Sequence, residues 1–332
     1  MLRRQGIGFA LAWALAAAAF AQEPAPLEVM GFSGSSNWPL FVAQDKGFFA
    51  RHGVQVRLSS APNSVVQLTG LIEGKLDIAM TAIDNVIAYQ EGQGEVEVKT
   101  KPDLLAFLGV NNGGRFNLMV LPEIRRHADL RGRELAVDAL TTGYAFVLME
   151  MLRKGGLQPG EYKLVSAGGS RTRYEGLREK KFAGTLLNSP YDLISQDAGF
   201  NRLASSGEVI GRYQGSVGAA RRGWAAANEA RLVGYIRGYV AAVDWLYDPA
   251  NKAEAVAVLA KRLERLKPDD AERTYEELLH PAHGNLLRRA AIDLEGVRTV
   301  LALRSEYGRP RKTLTDPARY YDPRYYDKAL RP

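Results

Sequence analysis

The chain has 332 residues, 46% hydrophobic and 24% charged, an ordinary globular composition with length for about two domains. That excludes a disordered chain, a collagen-like chain and a small disulfide scaffold. The formal charge of +7 is spread without a Lys/Arg block, so no nucleic-acid partner is expected, and the absence of cysteine removes a thiol nucleophile, a thiolate-ligated metal and any disulfide.

Residues 1–21, MLRRQGIGFALAWALAAAAFA, read as a cleavable secretory signal. Arg3 and Arg4 precede an apolar run from Ile7 to Ala19, and Ala19-Phe20-Ala21 is a small-x-small cleavage pattern. The run is short and Ala-rich for a membrane span. With no Cys at the cleavage site, a lipid anchor is not expected. Cleavage lowers the charge from +7 to +5, and the mature chain is expected to be soluble in an oxidising compartment.

Leu27 to Phe32 alternates as a strand, SGSSNWP (33–39) is a loop, and Leu40 to Ala50 has helical spacing. Val54 to Leu58 is a second strand, Asn63 an N-cap for a helix to Glu73, and Leu76 to Met80 a third strand. Asp84 is placed to cap the next helix. Strand and helix thus alternate, which predicts a mostly parallel sheet covered on both faces. The grammar repeats. Strands are predicted at 104–110, 118–121, 134–137, 162–165, 184–187 and 201–204, and helices at 144–154, from 170 to 180, and from Tyr191. From Asn228 the chain turns helical, with Ile236, Val240, Val243 and Tyr247 forming one buried stripe. The Tyr- and Pro-rich end, 316–332, is expected to be a mostly irregular surface tail.

In open α/β sheets ligands sit beyond the carboxyl ends of the strands, where helix N-termini converge. Here those loops are small and polar: Ser33–Asn37, Pro62–Ser64, Thr81–Asn85, Thr141–Tyr144, Gly168–Arg171 and Asn188–Tyr191. Each suits a turn or cap equally well; together they predict a cleft. Trp38 and Tyr144 are candidate flat contacts, although Trp38 also suits packing. Arg115 and Arg171 are candidate partners of a ligand anion. Catalytic signals are poor. His280-Pro281-Ala282-His283 is a weak metal pair, no G-x-S-x-G or Walker A loop occurs, and Asp77 and Asp84 suit turn and cap roles. The chain reads as a binder, with no catalytic residue, metal or cofactor assigned.

NWPLFVAQDKGFFARHGVQVRL (37–58), LTGLIEGKLDIAMTAIDNVIAY (68–89) and DLRGRELAVDALTTGYAFVLMEMLRKGGLQPGEYKLVSAGGSRTRYEGL (129–177) carry a family pattern, followed by LEGVRTVLALRSEYGRP (294–310) and the Tyr-Tyr-Asp repeats at 320–322 and 325–327. In order and spacing, 27–330 resembles the solute-binding proteins of bacterial ABC importers, in the group that binds nitrate, sulfonates, taurine and thiamine precursors. The resemblance implies an α/β, type 2 periplasmic binding fold: two lobes, each a mixed, mostly parallel sheet flanked by helices, joined by a two-strand hinge. Lobe one is expected to comprise 27–110 plus 206–332, and lobe two 111–205. The implied ligand contacts are Ser35, Ser36, Asn37, Trp38, Asn63, Thr81, Asp84, Asn111, Thr142, Gly143, Tyr144, Gly169, Arg171 and Asn188. The implied function is periplasmic capture of a sulfonate, a nitrate-like anion or a thiamine-precursor pyrimidine by hinge closure. A monomer is expected to deliver it to a membrane permease and its ATPase. No anion-coordinating basic residue aligns with the family pattern. The alternatives are a pyrimidine-synthase-like enzyme on the same fold, which needs a His or Cys in the cleft, and a ligand sensor for a membrane receptor.

Overall fold

A computed structural model describes residues 25–113, 116–263, 266–281 and 283–331. The stretch 1–21 expected to be a secretory signal, and Arg115, lie outside the described residues.

The first unit runs β1 (Leu27–Phe32), α1 (Trp38–Asp45), α2 (Phe48–Arg51), β2 (Val56–Ala61), α3 (Ser64–Ile72), β3 (Ile78–Ala82), α4 (Ile83–Gln90) and β4 (Leu104–Gly109). The second runs β5 (Asn117–Val120), β6 (Glu134–Val137), α5 (Gly143–Lys154), β7 (Lys163–Ser166), α6 (Ser170–Arg178), β8 (Gly184–Leu187), α7 (Tyr191–Asp197), β9 (Asn201–Ser205) and α8 (Ser206–Ile210). The chain then returns through β10 (Ser216–Arg221), α9 (Arg222–Ala227), α10 (Glu229–Tyr247), α11 (Lys252–Arg262), α12 (Pro268–Leu279), α13 (Leu294–Tyr307) and α14 (Arg324–Leu330).

Two five-stranded sheets result, ordered β2-β1-β3-β10-β4 and β7-β6-β8-β5-β9. Each is parallel except for one strand, β10 in the first and β5 in the second. Topology explains both exceptions. Each is the first strand laid down after the chain crosses between sheets, so it starts at the end where the others finish. The two crossings lie side by side: Val110 N donates to Ser216 O (2.8 Å), Gly215 N to Asn111 O (3.0 Å) and Gly113 N to Tyr213 O (2.8 Å). This is the two-strand connection that the family resemblance implies. α8 packs on α5 and β9, so the return crossing follows α8.

Each sheet buries an apolar strand set, such as Leu104–Leu108 and Leu118–Val120, as parallel layers require. One core gathers α1, α10, α11, α12 and α14 on the first sheet. A second core runs from α3 and α4 through α13 into the second sheet, so the two lobes share apolar packing on the hinge side. The C-terminal stretch is not mainly irregular. Pro323 sits at the N-cap, where proline is tolerated, and α14 seats Tyr325 and Ala329 against α10. Among the described residues, no helix is long and apolar enough to cross a membrane.

Candidate functional site

The carboxyl ends of the parallel strands in both sheets border one cavity. It contains about 760 Å³ of non-protein space, mouth included. The first sheet supplies Phe32, Ser33, Gly34, Ser36 and Asn37 after β1, Met80, Ala82 and Asn85 around the start of α4, and Ser216 of β10. The crossing supplies Val110 and Phe116. The second sheet supplies Asp138 after β6, Thr142–Tyr144 at the start of α5, Gly169, Ser170 and Arg173 at α6, and Asn188 after β8.

Local chemistry fixes these side chains. Asn37 Nδ2 donates to Phe32 O (2.6 Å), holding the first loop against its own strand. Thr142 Oγ1 donates to Ala139 O (3.0 Å) and sets up the α5 start. Ser170 Oγ donates to Asn188 Oδ1 (2.9 Å), joining two rim loops. A Cβ on Gly143 would stand 2.5 Å from Asp84 Cγ, so only glycine permits α5 to begin this close to the first lobe. Phe116 stacks on Tyr144 with centroids 3.9 Å apart, forming a flat wall. Burial, with Asp84 nearby, pushes the Tyr144 phenol far above its ordinary range, and its hydroxyl has no protein partner.

A ring of contacts between the lobes surrounds the cavity. Ser64 N donates to Asp138 Oδ2 (3.2 Å) and Gly169 N to Pro62 O (3.2 Å). Ser35 Oγ donates to Ser189 O (2.6 Å), Ser189 Oγ to Glu277 Oε2 (2.7 Å), and the Ser33 and Tyr191 hydroxyls meet at 3.3 Å. Thr141 N and Oγ1 both donate to Glu95 Oε2, at 2.9 and 2.7 Å. This is a closed arrangement of the two halves.

Of the residues expected in the cleft, Ser36, Asn37, Thr142, Gly143, Tyr144, Gly169 and Asn188 line the cavity. Ser35 and Asn111 line a small adjoining void, where Asn111 Nδ2 donates to Ser36 Oγ (3.2 Å). The others stand elsewhere. Trp38 is fully buried in the first lobe, its Nε1 donating to Ala255 O (3.0 Å) and its ring edge-on to Tyr275. Asn63 caps α3 through Val66 N (2.9 Å). Thr81 accepts from Asn85 Nδ2 (2.9 Å), leaving the amide of Asn85 at the cavity. Asp84 caps nothing: Ala82 is the N-cap of α4, and the Asp84 carboxylate is held by Arg304 in a buried bidentate pair (2.6 and 2.5 Å). Arg171 points away from the cavity, paired with Glu175 and bordering a separate groove toward Lys267 and Asp270, whereas Arg173, two residues on and across the helix, borders the cavity. Sequence reading passed over Phe116, Asp138 and Arg173. Asp138 was within reach, because it ends a strand in the LAVDALTTG stretch that the family pattern covers.

His52, His127, His280 and His283 do not line the cavity. The His280 and His283 rings stack at 3.5 Å, and no group of three or more potential metal-ligating side chains occurs among the described residues.

A model of the NMT1-like family matches residues 21–260. The chain belongs to that family. No curated protein sequence matches it. In fold it is similar to a Bordetella bronchiseptica RB50 protein (TM-score 0.77, 18% identity, 92% of this chain and 97% of that one). It is also similar to the periplasmic nitrate-binding protein NrtA of Synechocystis PCC 6803 (0.74, 12%, 92% and 88%) and to the alkanesulfonate-binding protein SsuA of Xanthomonas axonopodis pv. citri bound to MOPS (0.71, 19%, 91% and 99%). The fold of this NMT1-like chain is therefore the periplasmic binding protein fold. A desulfurization enzyme, DSZB, shares it (0.64, 12%, 92% and 99%), so the fold is not confined to binders.

Proposed function

We propose that this protein is the periplasmic solute-binding component of an ABC importer. It captures a small organic molecule between its lobes and hands it, as a monomer, to a membrane permease and its ATPase. The observation that carries this reading is the cavity itself. It is bordered by strand-end loops of both sheets and sealed by hydrogen bonds that cross from one lobe to the other. Contacts made only when the lobes meet favour the closed form, so a ligand touching both lobes shifts the population toward closure. The ligand contacts proposed are Ser36, Asn37, Thr142, Gly143, Tyr144, Gly169 and Asn188, with Phe116 and Asn85 added from the cavity lining. Binding proteins for nitrate and alkanesulfonate among the structural relatives support the solute-capture class. The enzyme reading called for an imidazole or thiol at the cavity; the four histidines lie elsewhere and the chain has no cysteine.

The test is native mass spectrometry of the protein as purified, with small-angle scattering before and after removal of any bound molecule. A co-purified solute whose return lowers the radius of gyration supports capture. Catalytic turnover of that solute, or a radius indifferent to it, refutes the proposal.

A further inference from the structure

Among the described residues, two charged side chains line the cavity, Asp138 and Arg173. Their states differ. Arg173 is buried and its guanidinium is committed to the protein: Nε donates to Thr185 Oγ1 (3.0 Å), Nη1 to Gly168 O (2.5 Å), and Nη2 to Ser170 Oγ (3.2 Å) and Leu186 O (3.1 Å). These bonds fasten α6 to β8 and leave little of the fork for a ligand anion. Asp138 is not saturated. Its Oδ2 accepts the Ser64 N–H from the opposite lobe, while its Oδ1 is buried and accepts no hydrogen bond from the protein. A buried carboxylate oxygen without a donor is costly, so the site calls for one.

Charge at the cavity points the same way. Among the described lining residues Asp138 and Arg173 offset each other, so a ligand of net charge would be stripped of water there without a counter-charge of its own. An oxyanion would in addition meet the Asp138 carboxylate. The first turns of α5 and α6 border the same space, and their partial positive charge suits a carbonyl oxygen or ring nitrogen beside the donor. The stacked Phe116 and Tyr144 rings offer a flat apolar wall.

We infer that the ligand is an uncharged molecule that presents an N–H group to Asp138, such as a carboxamide or an amino-substituted heteroaromatic ring, and is not a sulfonate or nitrate-like anion. The inference rests on the solute-capture reading and narrows it. Asp138 then has two roles at one carboxylate: one oxygen closes the lobes, the other selects the ligand.

The test is isothermal titration of the purified full chain with matched probes: benzamide against benzoate and benzenesulfonate, nicotinamide against nicotinate, 4-aminopyrimidine, and nitrate. The N–H donors are expected to bind at least tenfold more tightly than their oxyanion counterparts. Asp138→Asn keeps the shape but turns a donor toward a donor, and is expected to weaken the preferred probe about tenfold or more, the loss of a hydrogen bond to a charged group. Asp138→Ser gives the same reading should the amide variant fail to fold. No donor preference across the panel, whether from equal binding or from silence, overturns the inference. An oxyanion that binds and lowers the radius of gyration refutes the donor rule while leaving solute capture standing.

Discussion

Arg304 has no exposed surface, yet it ties together three parts of the molecule. Its guanidinium grips Asp84 at the start of α4, donates to Thr141 O (2.7 Å) just ahead of α5, and lies over the Phe146 ring. Removing one partner of a buried pair strands the other charge, so Arg304→Ala is expected to cost about 3–5 kcal/mol, read as a lower urea midpoint at unchanged slope. Trp38 makes the contrasting case. Its indole contributes a hydrogen bond and an edge-on ring contact inside the first lobe, so Trp38→Phe is expected to cost about 1–3 kcal/mol and to leave ligand affinity unchanged. A loss of affinity at preserved stability would contradict that assignment. These residues mark how far a single sequence reaches. Ser36, Asn37, Thr142–Tyr144 and Asn188 were legible because the loops that carry them fall together at the carboxyl ends of alternating strands, where a cleft forms even though each loop alone suits a turn or cap. Trp38 and Asp84 were misplaced because their partners, Ala255 and Arg304, lie over two hundred positions away.

Elements with strong periodicity, such as α10 and the central parallel strands, follow directly from the pattern of apolar residues. β10 does not. SVGAAR has little strand preference of its own and becomes extended because β3 and β4 pair with it on both sides. α14 was likewise hidden, since the prolines flanking it and its paired tyrosines resemble a tail until α10 supplies a surface. α7 shows tertiary context overriding a local preference. Asp192 sits in its first turn, where the helix end favours a carboxylate, yet burial and then Glu277 push it up to about 6 from its ordinary 3.8, despite a bond from Asn117 Nδ2 (2.6 Å). Between those values the folded chain holds a proton that the unfolded chain has lost. Asp192 therefore favours folding most at low pH, and this contribution fades as pH rises from about 4 to about 6, by at most about 3 kcal/mol. Asp192→Asn removes the dependence. The variant is expected to gain stability relative to the parent across that interval, and urea midpoints of both proteins at pH 4, 5, 6 and 7.5 provide the check. Midpoints that move in parallel would mean that Asp192 ionises normally in the folded state.

At the scale of the whole molecule, the two lobes meet through a shared core on one side and a ring of polar contacts on the other. α13 belongs to the shared side. Its N-terminal flank joins the return crossing through Asp293 and Arg212 (2.7 Å), and its far end reaches α5 through Tyr307 and Glu150 (2.7 Å). This arrangement suits a pivot, whereas the contacts around the cavity mouth suit a latch. Which residues meet across the latch was not readable from sequence: Pro62 finds Gly169, and Glu95 finds Thr141, only once both sheets are folded and brought together. Glu95 is the informative member. It lines no part of the cavity, so altering it touches no ligand, yet its Oε2 accepts both the backbone N–H and the hydroxyl of Thr141 in the closed form. On opening, water replaces both bonds. Bonds to a charged acceptor contribute about 1.5–3 kcal/mol each, so losing both in Glu95→Ala is expected to lower the ratio of closed to open molecules by roughly a hundredfold or more. Ligand affinity falls by the same factor where the closed form is the minor state of the free protein, and by less where it dominates. Small-angle scattering without ligand measures the first effect and titration the second. A variant whose radius of gyration and affinity both match the parent would show that the Glu95 bonds persist through opening, and would move Thr141 from the latch to the pivot.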